Sequence, residues 1–160
     1  RETEAPTAPI RPRTLGKGEV LVEGKELLLI PLGNMYLTAL DIQKRLQEFG
    51  ISPTIVDLIF INPLDEELLT SLVKKHTYMV TLEEHSKTSG FGTIVQSFLL
   101  EKDLLVGKKI LSCGIERTFV QHGSVEELKK ELGLDALSIT EKIVKKFYPN
   151  IMYDHCPIPE

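Results

Sequence analysis

The 160 residues carry 19 Lys and Arg against 23 Asp and Glu, a formal charge of −4, with 42% hydrophobic and 26% charged residues. That is ordinary globular composition with length for one hydrophobic core, and its mild acidity gives no electrostatic case for nucleic acid or an anionic membrane surface. Two cysteines, Cys113 and Cys156, make no disulfide framework, and no apolar run approaches the ~20 residues that span a bilayer.

No secretory h-region opens the chain, so a reducing, cytoplasmic compartment is expected. The first residue is Arg1 rather than Met, as expected of a piece of a longer polypeptide. Residues 1–14 hold Pro6, Pro9 and Pro12 among Thr, Ala and Glu, which favours an extended interdomain linker. Glu19 to Glu23 and Glu26 to Ile30 then read as strands joined by Gly24-Lys25 as a tight turn, an antiparallel hairpin. Met35, Ala39, Ile42, Leu46 and Phe49 recur at helical spacing, and Gly50 closes that helix.

Thr54 to Leu58 is the next strand. A helix opens at Pro63-Leu64-Asp65-Glu66-Glu67, with negative charge at its positive dipole end and Leu68, Leu72 and Val73 inward. Tyr78 to Leu82 forms a fourth strand, followed by a glycine-bearing turn and a helix carrying Ile94, Val95, Phe98 and Leu99. Lys109 to Ser112 is a short fifth strand. Ser124-Val125-Glu126-Glu127 is a capping box whose helix stops at Gly133, and Ser138-Ile139-Thr140-Glu141 repeats the device to start a last helix. Residues 148–160 read as an irregular tail. Short strands alternating with helices predict a three-layer α/β/α sandwich around a mixed, mostly parallel sheet of about five strands, with one domain over 15–147.

The segment Glu83-Glu84-His85 through Gly90-Phe91-Gly92 leaves the carboxyl end of a strand and enters a helix, the edge where ligands bind in open α/β sheets. Glu83, Glu84 and His85 there are candidates for loop-shaping or interface contacts before acid–base chemistry. Gly90 and Gly92 resemble a phosphate-cradling turn. They lack a third glycine and a following Gly-Lys-Ser/Thr element, which favours close backbone packing instead. Arg117 and His122, near the capping box, are further interface candidates. No His/Cys pair stands at zinc spacing and no nucleophile elbow occurs, so no catalytic, cofactor-binding or metal residue is assigned.

Leu15-Gly16-Lys17-Gly18-Glu19-Val20-Leu21, Val56-Asp57 and Asn62-Pro63-Leu64-Asp65-Glu66-Glu67-Leu68-Leu69 resemble the C-terminal domain of transketolase-like enzymes. Val80-Thr81-Leu82-Glu83-Glu84-His85, Gly90-Phe91-Gly92, Gln121-His122-Gly123-Ser124 and Glu131-Leu132-Gly133-Leu134-Asp135-Ala136 are similar to the 1-deoxy-D-xylulose-5-phosphate synthase branch. The resemblance implies part of a transferase that condenses pyruvate with glyceraldehyde 3-phosphate, releasing carbon dioxide, for isoprenoid and thiamine synthesis. It also implies a homodimer with thiamine diphosphate and Mg2+ held in preceding domains of the same polypeptide, under a Gly-Asp-Gly signature. That tripeptide is absent here, so the chain alone is expected to be catalytically incomplete and free of cofactor. The alternatives are the equivalent domain of a transketolase or of a 2-oxoacid dehydrogenase E1 β subunit, and an independent α/β binding module.

Overall fold

The computed structural model describes residues 12–116 and 124–154. Among them one sheet is built from β1 (Glu19–Val22), β2 (Leu27–Pro31), β3 (Thr54–Asp57), β4 (Tyr78–Ser86) and β5 (Lys109–Ile115). Its spatial order is β1-β3-β2-β4-β5, with β1 antiparallel to β3 and the other neighbours parallel. The helices are α1 (Met35–Glu48), α2 (Glu66–Lys75), α3 (Phe91–Glu101), α4 (Val125–Glu131), α5 (Ala136–Phe147) and α6 (Pro149–Asp154).

Alternation along β2 explains the three layers. Leu27 and Leu29 pack with Met35, Ala39, Ile42 and Leu46 of α1 and Ile139 and Ile143 of α5. Leu28 and Ile30 pack on the other face with Leu69 and Val73 of α2 and Val95 and Leu99 of α3. A central parallel strand buried on both sides needs apolar residues at every position, and β2 is buried throughout. This is the expected α/β/α sandwich.

The antiparallel pair is a different one from the hairpin expected. β1 pairs with β3, Glu19 opposite Asp57 and Val20 opposite Val56, while β2 lies between β3 and β4. The half-buried residues of β1 suit an edge, and those of β2 suit the centre. Gly24 answers a close approach instead of a hairpin turn, since a Cβ there would run into the backbone of Ser52 and Pro53.

Smaller departures concern where elements begin and end. β4 continues to Ser86 because Ser86 pairs with Ile115 at the end of a longer β5. α2 begins at Glu66 with Asp65 as its cap, and Leu69 replaces half-buried Leu68 on the inner face. Ile94 points outward, 42% exposed. α5 starts at Ala136 under an Asp135 cap whose carboxylate accepts from Ser138 N at 3.1 Å, so Ser138 is inside the helix. The tail read as irregular holds α6 over Pro149–Asp154. The Ser124–Glu127 capping box forms as expected, and Gly133 takes a left-handed φ of 62°.

Candidate functional site

The carboxyl ends of β2 and β4 part where the connection from β2 runs to β3 and that from β4 runs to β5. This is the switch point of the sheet, the position where open α/β folds take ligands. Glu83 lies just inside it and is fully buried. Its carboxylate accepts the amide of Phe91 at 2.7 Å and that of Gly92 at 2.8 Å. These are first-turn amides of α3, which have no partner within the helix, and the helix dipole favours negative charge there.

Gly90 and Gly92 exist for this carboxylate. A Cβ on Gly90 would collide with Glu83 Oε2 and come within 2.5 Å of Ser86 O. One on Gly92 would stand 2.6 Å from Thr81 Oγ1 and 3.1 Å from Glu83 Oε1. The phosphate-like turn is therefore filled from within: the anion it cradles is the protein's own side chain. Asp65 does the same for α2, accepting Leu68 N at 3.1 Å and Gly18 N at 3.0 Å. Burial works to raise the Asp65 carboxyl, but those two amides and the Lys17 ammonium hold it below the usual value.

The other candidates separate. Glu84 turns to the opposite side and pairs with Lys129 Nζ at 2.7 Å, tying β4 to α4. His85 is exposed and, with Leu32, Ile61, Gly90, Phe91 and Ile94, lines a mainly apolar groove of about 320 Å³. A second groove of about 570 Å³ continues past Ile61 and Ile94 to Pro63, Leu64 and Phe98. Arg117 and His122 lie outside the described residues. Asp65 was missed as a site residue, although Asp-Glu-Glu before an apolar helical face is an N-cap signal.

A polar groove of about 590 Å³ runs along β5, lined by Lys87, Gln96, Ser112, Glu116 and Lys146. Its hydroxyl and charges serve local contacts: Gln96 Nε2 donates to Ser112 Oγ at 2.8 Å, and Lys87 pairs with Glu116 at 2.8 Å. The hydrogen bond and charge of Lys87 keep the Glu116 carboxyl below its ordinary value. Cys113 beneath is buried, which pushes its thiol up to about 11 and makes it a poor nucleophile. Among the described residues no group of three or more His, Cys, Asp or Glu could hold a metal ion, and no helix is long and apolar enough to cross a membrane.

A family model described as transketolase, C-terminal domain, matches residues 16–139. The chain belongs to that family. Within it, 131 residues are 45% identical to 1-deoxy-D-xylulose-5-phosphate synthase of Lachnoclostridium phytofermentans, covering 82% of this chain and 21% of that protein. The synthase of Alkaliphilus oremlandii is 40% identical over 137 residues, 85% of this chain and 22% of that one. A solved structure described as a split gene transketolase, inactive beta4 tetramer, superposes with a TM-score of 0.74 at 30% identity, over 91% of this chain and 46% of that chain. The chain spans about a fifth of the length of the curated relatives it matches.

Proposed function

We propose that this chain serves as the C-terminal domain of a cytoplasmic, homodimeric 1-deoxy-D-xylulose-5-phosphate synthase. The whole enzyme condenses pyruvate with glyceraldehyde 3-phosphate and feeds isoprenoid and thiamine synthesis. Residues 15–147 are the domain and 1–14 the connection to preceding domains, which bind thiamine diphosphate and Mg2+. The observation that carries this reading is the 45% identity to a synthase of that name over 131 residues. The similar split-gene transketolase chain, described as an inactive tetramer, supports a domain of this type being silent without the remainder of its enzyme.

The described residues do not fit a magnesium–diphosphate group. The amides at the start of α2 and α3 are taken by Asp65 and Glu83, and no metal-holding cluster stands among the described residues. The domain's own part is to shape and cover surfaces: Glu83, Gly90 and Gly92 fix the loop, Glu84 holds α4, and His85 is offered to neighbouring domains or the partner subunit, a contact role for which Arg117 and His122 remain candidates by sequence. Calorimetric titration of this chain with thiamine diphosphate and Mg2+ is expected to give no saturable heat, and pyruvate is expected to remain unconsumed. A saturable isotherm near 1:1 would overturn the reading.

A further inference from the structure

We infer that the groove at the switch point is the seat of a segment of the preceding domains of the same polypeptide. This rests on the proposed place of the chain in a longer synthase and names the surface that the preceding domains would cover. Three observations converge on that occupant.

The groove carries an apolar strip, Leu32, Ile61, Leu64, Phe91, Ile94 and Phe98, with polar side chains beside it. Glu83 and Asp65 have closed the helix ends around it, and Ile61 and Ile94 stand 37% and 42% exposed on its walls. An apolar strip flanked by polar side chains such as His85, Asn62 and Ser97 has the make-up of a surface that takes the side chains of another protein segment.

The direction of β1 delivers the upstream chain to this rim. Because β1 runs antiparallel to β3, its first residue, Glu19, lies opposite Asp57 at the carboxyl edge. The residues before it are pinned to the loop that lines the groove. Gly18 N donates to Asp65, Lys17 Nζ reaches Glu67 at 2.9 Å, and a Cβ on Gly16 would stand 2.9 Å from Pro63 Cγ. Leu15, next outward, is 70% exposed. A segment joined to this rim through the same chain meets it at an effective concentration that can reach the millimolar range, which a free partner must exceed.

The opposite end of the chain departs elsewhere. Tyr148 packs edge-on to Tyr78, the first residue of β4, so α6 sits at the amino edge of the sheet. With the matched relatives about five times longer than the aligned region, the upstream polypeptide has the length to fill the groove.

Hydrogen–deuterium exchange tests this by comparing the 160-residue chain with the polypeptide that includes its upstream sequence. Amides at 58–65 and 89–98 are expected to exchange at least about tenfold more slowly in the longer protein, with 148–154 unchanged. The double variant Ile61→Asp, Ile94→Asp, made in the longer protein, is expected to restore fast exchange there while its circular dichroism stays native. Slowing confined to another surface would overturn the inference and leave the proposed function standing. No slowing anywhere would likewise overturn the inference, while the proposed function answers to the cofactor titration above. Slowing at the groove in the 160-residue chain that grows with its concentration would assign the seat to a second copy and overturn the inference.

Discussion

The two edges of the sheet solve opposite problems with opposite chemistry. The helices of the parallel crossovers begin at the carboxyl edge, so orphan N–H groups gather there, and buried carboxylates meet them: Glu83 for α3 and Asp65 for α2. The same helices end at the amino edge, where the orphans are carbonyls and the protein supplies donors. His76 Nδ1 donates to Leu72 O at 2.7 Å, and Lys108 Nζ donates to His76 O at 2.8 Å. With Nδ1 carrying a hydrogen, Nε2 accepts from the Thr54 hydroxyl at 2.7 Å, and Thr54 Oγ1 accepts Gly24 N at 3.0 Å. An acidic residue at a strand's carboxyl end is therefore first a candidate cap, and only afterwards a candidate catalyst.

The largest effect expected of this contrast is at Glu83. Replacement by Ala strands two buried amides and should cost about 3 kcal/mol in urea unfolding, whereas Gln, which keeps one acceptor, should cost roughly half of that. If Glu83→Ala cost no more than Ala at exposed Glu101, the carboxyl edge would not be held by this side chain.

At the amino edge, Thr54→Val keeps the shape but leaves Gly24 N and His76 Nε2 unmatched, at an expected cost of about 1.5 kcal/mol. A loss larger than that of Glu83→Ala would reverse the ranking of the two edges. The smallest effect is acidic. Asp65 titrates lower in the folded than in the unfolded chain, so its stabilisation is complete above the ordinary carboxyl value of 3.8 and fades as pH falls through the folded value. Asp65→Asn should therefore lower stability at neutral pH and flatten its decline between about pH 5 and pH 3, by less than about 1 kcal/mol. Thermal unfolding across that range checks it, and an unchanged slope would remove Asp65 from the acid response.

Much of the scaffold was legible because apolar runs and helical spacing report burial directly. Leu27 to Ile30 and the Met35 to Leu46 stripe needed no context. The strand pairing was less legible. Gly24-Lys25 carries the composition of a turn, while the reason for the glycine, the backbone of Ser52 and Pro53 against it, lies far along the chain. The same holds at the candidate site. Adjacent Glu83 and Glu84 look alike in sequence, yet one is sealed in and the other half-exposed with Lys129. The combination of a strand-end glutamate with glycines seven and nine residues later was the available signal, since both glycines clear space for its carboxylate. The start of α5 was misplaced because Ser138 and Glu141 copy a capping box that Asp135 pre-empts three residues earlier.

The position of β1 bears on the order of events during synthesis. Val20 must wait for Val56, and that strand becomes available only when α1 has carried the chain back across the sheet. A ribosome releases β1 first, yet the ladder that holds it can close only later, at the entropic cost of a long loop. The N-terminal strand thus acts as a delayed fastening, and the direction in which earlier-made polypeptide leaves the domain is fixed only once β3 is in place.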